Sequence, residues 1–146
     1  MNKLFKITFF FWLIINFSNI AFSNENFFNE GLKLYNEKKY EEARFMFERS
    51  IVFDPKDSNS YLFLAKIYNH EENKQKEEKN LEATLLIEPS NEEAILMSMK
   101  IALEKSNYSK VKELSKKFVK VCKKLCNENK NILESLENIE PKNNES

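Results

Sequence analysis

Apolar positions between Phe27 and Phe53 return every three or four residues in two blocks, with a wholly polar interruption between them. Phe27 and Leu34 mark the first block; Ala43, Phe47 and Ile51 mark the second. That period predicts two amphipathic helices, about Glu25 to Glu37 and Tyr40 to Phe53, joined by a tight turn. Phe53-Asp54-Pro55 then closes the block, and 34 residues later Ile87-Glu88-Pro89 closes another with the same acid–proline ending. A fixed period of about 34 residues signals stacked helical repeats.

Sliding the pattern by one period extends it. Residues 24–57 form the first repeat and 58–91 the second. Tyr61, Leu64, Ala65 and Tyr68 follow Phe27, Glu30, Gly31 and Leu34, while Leu81 and Leu85 follow Phe47 and Ile51. Ser58 or Asn59 is the expected cap of the second repeat's first helix. Glu77 stands where Ala43 stood, inside the polar run His70 to Asn80. The turn and the start of this helix therefore stay open, and a local shift or a frayed first turn would spare Glu77 from burial. The third repeat, 92–125, is degenerate. Asn91 can cap it, Ile95, Met99 and Ala102 line its first helix, and Tyr108 repeats the turn position of Tyr40. Val111, Leu114, Phe118 and Val121 continue the second helix, and Lys123 replaces the terminal proline, so this helix is expected to reach about Leu125. Residues 126–140 are read as a capping segment, with a short helix from Lys130 bearing Ile132, Leu133, Leu136 and Ile139. The tail 141–146 is expected to be disordered.

The first repeat resembles a tetratricopeptide repeat residue by residue. Phe27 fills the first aromatic place, Gly31 the first small place, Tyr40 the place after the turn, Ala43 the second small place, Phe47 the next aromatic and Pro55 the terminal proline. Leu34 stands where Tyr is usual, and Glu30 departs from the usual Leu. Ala65, Tyr68, Leu81, Pro89 and Tyr108 carry the pattern onward. Gly31 is the only glycine of the chain. A glycine inside a helix costs about 1 kcal/mol against alanine, so this one is expected where two helices come close. The resemblance implies an all-α, right-handed solenoid of antiparallel helix pairs, about three repeats plus a C-terminal capping helix.

The N-terminal 23 residues read as a targeting segment. Lys3 and Lys6 precede an apolar run from Ile7 to Phe17, and Ala21-Phe22-Ser23 fits a small-x-small cleavage site. Asn16 and Asn19 break the run short of the ~20 residues of a membrane span, and cleavage or retention as an anchor both remain open. Export is expected: periplasm or cell envelope in a bacterium, otherwise the secretory space.

Charge changes the picture little. Basic and acidic residues number 23 each over 146 residues, and beyond residue 23 the balance is 21 against 23. That is no footprint for nucleic acid. The seven lysines from Lys110 to Lys124 read as a solvated helix face, with contact to nucleic acid or anionic lipid as the other reading. His70 is the only histidine and sits in a polar turn. No constellation for catalysis, cofactor or metal is visible, so a non-enzyme with no cofactor is expected. Cys122 and Cys126 share a helical face, where their Cβ vectors run parallel and disfavour a bond. Opening of the helix near Asn127 could relieve that, and a disulfide and free thiols both remain open.

In tetratricopeptide arrays the first helices of the pairs line a concave groove. The resemblance places Phe28, Leu32 and Tyr35 there from the first repeat, Leu62, Phe63, Lys66 and Asn69 from the second, and Leu96, Met97, Lys100 and Leu103 from the third. Members that clamp chaperone carboxylate tails put Lys, Asn and Arg at places held here by Phe28, Leu32, Phe63, Glu93 and Met97, so that activity is not expected. The implied function is non-catalytic: an adaptor or assembly factor taking an apolar or amphipathic protein segment in helix-in-groove fashion. Self-association of an anchored envelope protein is the other reading, with membrane contact only through an uncleaved N-terminal segment.

Overall fold

The computed structural model describes residues 23–139, with side chains from Phe27 onward. The expected targeting segment, apart from Ser23, and the tail 141–146 lie outside the described residues. These are all-α, with no strand among them. The helices are α1 (Ser23–Asn36), α2 (Tyr40–Phe53), α3 (Ser58–His70), α4 (Lys74–Ile87), α5 (Glu92–Glu104), α6 (Tyr108–Val121) and α7 (Cys126–Ile139). They form three antiparallel pairs and a final single helix. Two compact units are present, one ending at Pro55 and holding α1/α2, the other beginning at Lys56 and holding α3 to α7.

The turn within each pair is built alike. Lys38, Glu72 and Ser106, one repeat apart, all take left-handed backbone, with φ of 62°, 56° and 56°. Around them Lys39, Asn73 and Asn107 donate their backbone N–H to Leu34, Tyr68 and Ala102, and Lys38, Glu72 and Ser106 donate to Tyr35, Asn69 and Leu103. This is the Schellman closure, which satisfies the last carbonyls of one helix and aims the chain back along it. Asn73 and Asn107 then turn their side chains onto the N–H of Lys76 and Lys110, capping the following helix. The α3 cap falls on Asp57, which accepts from Asn59 N, one residue earlier than expected. A carboxylate at this place answers both the orphan amides and the positive helix end. Asn91 caps α5 through Ala94 N.

In the first unit Phe47 is fully buried, and a Cβ on Gly31 would lie 2.8 Å from its ring. The glycine is therefore what lets α1 and α2 close on one another. In the second unit Leu62, Ala65, Leu81, Ala94 and Ile101 form one core cluster. Ile95, Leu96, Met99, Val111, Phe118, Ile132 and Leu136 belong to the other, beneath α7.

Two helix bounds are corrected, and two points open in the sequence are decided. Glu77 is not spared: α4 begins at once at Lys74, Asn73 caps it, and Glu77 is 1% exposed. The last pair's second helix stops at Val121, and α7 starts at Cys126 rather than at about Lys130. Cys122 has extended backbone there, so the two cysteines sit at the ends of different helices and join as a disulfide with Cα atoms 5.4 Å apart. Ile139, the last member of the apolar stripe of α7, is exposed.

Candidate partner-binding surface

The expected groove residues fall into two groups, each inside one unit. On α1, Phe28 is half-buried, its ring 5.7 Å from that of Phe47. Leu32 is half-buried too, and Tyr35 meets Tyr40 edge-on at 5.5 Å. These side chains present one face to the core and one to solvent.

The second unit joins α3 to α5 through a polar clamp. Lys66 places its ammonium 4.5 Å above the half-buried Phe63 ring and 2.8 Å from Glu93 on α5. Met97, one helical turn further along α5, is partly buried against the core cluster, and Lys100 is exposed. Phe63, Lys66, Glu93 and Met97 thus form a surface of apolar patches around an internally paired charge. Leu62 does not join it: at 5% exposure it belongs to the core with Ala65, Leu81, Ala94 and Ile101. Leu96 is equally buried, and Leu103 packs partly against the cluster beneath α7.

Asn69 also serves the interior of its own pair. Its amide nitrogen donates to Glu77 Oε1 at 2.9 Å. Glu77 Oε2 faces Lys74 Nζ at 3.4 Å, and Lys74 reaches on to Glu104 of α5 at 3.0 Å. Burial pulls the Lys74 ammonium down, but its hydrogen bond to Glu104 and the charges of Glu77 and Glu104 outweigh that and hold it above the usual lysine range. A buried charge survives only when paired and hydrogen-bonded, and these residues supply both. The signal is readable: Lys74 and Glu77, three residues apart on α4, occupy the places of Tyr40 and Ala43, and both are misfits.

Sequence reasoning also missed Glu92. Its carboxylate accepts backbone N–H groups from Lys123, Lys124 and Leu125 at 2.9, 3.1 and 2.9 Å. Hydrogen bonds from Leu125 and Lys124 hold this carboxyl below the usual glutamate range. The loop between α6 and α7 is thereby tied to the start of α5 as well as closed by the disulfide.

The remaining pattern residues serve packing. Phe27 stacks on Phe53, Ala43 and Ala65 are fully buried, Tyr68 is 5% exposed beneath Lys76, and Tyr108 packs against the cluster below α7. Pro55 and Pro89 are exposed at the ends of their pairs.

Solved structures share this succession of helix pairs. The type III secretion chaperone SycD of Yersinia enterocolitica, in complex with a peptide of the translocator YopD, matches with a TM-score of 0.70 at 15% identity, over 77% of this chain and 91% of that one. The chain has a tetratricopeptide-like fold. The OM64 tetratricopeptide domain of Arabidopsis matches at 0.69 and 16% identity, over 80% and 95%. The first tetratricopeptide domain of Spaghetti (RPAP3), bound to the HSP90 peptide SRMEEVD, matches at 0.67 and 15%, over 79% and 94%. No family model and no curated protein matches the sequence.

Proposed function

We propose that this tetratricopeptide-like chain is a non-catalytic protein-interaction module that takes an amphipathic partner segment on the first-helix face of its repeats. The observation that carries this is the α3/α5 surface: a half-exposed Phe63 and Met97 beside a Lys66 already paired with Glu93. A paired lysine offers little to a carboxylate, whereas the ring and thioether offer apolar area of the kind a helix-in-groove partner buries. The peptides held by the SycD and Spaghetti domains support a peptide ligand here. Phe28 and Leu32 supply a comparable half-exposed face on α1. The N-terminal sequence supports an exported protein working in an envelope or secretory space.

The test is cross-linked capture from the native source with the chain and its Phe63→Ser/Met97→Ser variant, both first matched by circular dichroism. Loss of a protein partner in the variant supports the reading. Recovery of the chain alone, lost in the variant, makes the surface a self-association site. Unchanged recovery overturns the assignment and moves the search to the cleft of about 390 Å³ between α4 and α6, where Leu86 is exposed.

A further inference from the structure

The outward stripe of α2 is unusual for a solvated helix. Phe45, Arg49, Val52 and Phe53 succeed one another along it, and the three apolar members are 54%, 78% and 50% exposed. The arginine is not loose among them. Its guanidinium carbon lies 4.1 Å from the centroid of the Phe27 ring and 5.6 Å from that of Phe45. Phe27 in turn stacks on Phe53 at 5.2 Å with 24° between the planes. Phe45, Arg49, Phe27 and Phe53 therefore make one continuous ladder on the surface of the first unit.

Stacking engages the flat faces of a guanidinium and leaves its N–H edges available, and those edges match a carboxylate two-to-two. No carboxylate among the described side chains pairs with Arg49. The contrast lies on the same helix: the only other arginine of the chain, Arg44, is paired with Glu41. Arg49 is thus a cation fixed in place by rings, with its donors unspent, inside an apolar patch. Arginine and aromatic residues in such a setting are the composition of energetic anchors at protein interfaces.

We propose that this face of α2 docks a protein segment that carries an Asp or Glu between apolar side chains. Charge complementarity to Arg49 selects the carboxylate, and Phe45, Val52 and Phe53 select its apolar neighbours. The site uses the second helix of its pair and does not depend on the α3/α5 reading.

A displayed library of random peptides selected on the full chain tests it, with Arg49→Gln and Arg44→Gln chains of matching circular dichroism alongside. The expected result is enrichment of peptides with an acidic residue flanked by apolar ones. Each should bind the Arg49→Gln chain at least about tenfold more weakly, and the Arg44→Gln chain about as well as the native one. Changing the peptide's acid to its amide should cost the native chain the same factor and the Arg49→Gln chain almost nothing. Enriched peptides without an acid, peptides indifferent to Arg49, or no enrichment at all would overturn the proposal. So would sedimentation showing a dimer that Arg49→Gln disperses, since the occupant would then be a second copy of the chain.

Discussion

The pairs α1/α2 and α3/α4 have nearly the same lengths and the same Schellman turn, yet they fill their interiors differently. Where α1 and α2 cross, glycine meets phenylalanine, Gly31 against Phe47. One repeat on, the same two places hold Ala65 and Leu81, and in the third pair Met99 and Ser115; all six are buried. As the first-helix residue grows, its counterpart on the second helix shrinks, so the volume available to the pair is shared out rather than fixed by either place. Nearer the turn the difference is of kind. The first pair has Tyr35, Tyr40 and Ala43, and the third has Leu103, Tyr108 and Val111. The second pair has Asn69, Lys74 and Glu77, a hydrogen-bonded ionic network in the place of an apolar plug. The same backbone accepts both: rings and methyls fill one, while in the other Asn69 donates to Glu77 Oε1 and the Lys74 ammonium stands 3.4 Å from Oε2, which has no hydrogen-bond donor of its own among the described residues.

The volume exchange is the strongest point at which to break this comparison. Phe47→Ala empties a closed site and should cost about 3–5 kcal/mol. Gly31→Ala should cost about 1–3 kcal/mol, because the ring it strikes is fully buried and cannot step aside. Combining Gly31→Ala with Phe47→Leu reproduces the Ala65/Leu81 pair. Urea unfolding of the two single variants and the double should give a cycle in which they fall short of additivity by about 1 kcal/mol or more. Strict additivity would mean that the two places do not share their volume.

The polar network comes next. Asn69→Ala leaves a buried carboxylate oxygen without its donor and should cost about 1.5–3 kcal/mol. The triple change Asn69→Tyr, Lys74→Tyr and Glu77→Ala installs the first pair's filling. It should recover native stability or exceed it, as apolar replacement of buried ionic groups commonly does. A triple variant less stable than Asn69→Ala would show that the second pair's backbone has adapted to its ions.

The last helix offers a smaller effect. Replacing Cys122 and Cys126 by Ser opens a very short loop, for which chain entropy gives about 2 kcal/mol. Hydrogen exchange should locate the loss in α7 and leave α1/α2 protected. The Glu92 clamp adds a pH dependence with a definite sign. Its pKa is lowered in the folded chain by the Leu125 and Lys124 amides. Its contribution is therefore complete above the usual glutamate value and is lost as pH falls through the depressed one. Amide exchange at Lys123, Lys124 and Leu125, corrected for intrinsic rates, should quicken over that acid window, and Glu92→Gln should abolish the step.

The period of 34 and the apolar stripes made the helix pairs legible in the sequence, because burial imposes its spacing on every helix that packs. Gly31 was legible too, since a lone glycine inside a helix calls for a packing reason. What escaped was the part carried by polar atoms. Glu77 reads in the sequence only as a misfit, although its partners Asn69 and Lys74 stand close by; hydrogen-bond satisfaction depends on side-chain direction, which spacing does not encode. The cysteines stay open in the sequence because nothing there marks the end of α6, and the backbone N–H groups just beyond that end are held by Glu92 of the preceding helix. At the surface the resemblance puts Leu62 in the groove, whereas contact with Ala94 and Ile101 of the next pair buries it.

The three turns test the comparison most finely. Lys38, Glu72 and Ser106 all occupy left-handed backbone that costs an ordinary residue about 1–2 kcal/mol and glycine almost nothing. Glycine also loses more freedom on folding, so each change to Gly should raise stability by only about 0.5–1 kcal/mol. Lys38→Gly and Ser106→Gly close turns beside apolar fillings and should gain alike. Glu72→Gly closes the turn whose neighbours Asn69, Asn73 and Lys74 also hold Glu77 and cap α4. An equal gain there would mean that turn and network are independent, with the backbone set by the Schellman bonds alone. A gain missing only at Glu72 would mean that the network itself holds this turn in its left-handed state, and added freedom at residue 72 would then loosen the support of Glu77. Thermal unfolding of the three single variants, each beside its counterpart carrying Asn69→Ala, separates the two cases.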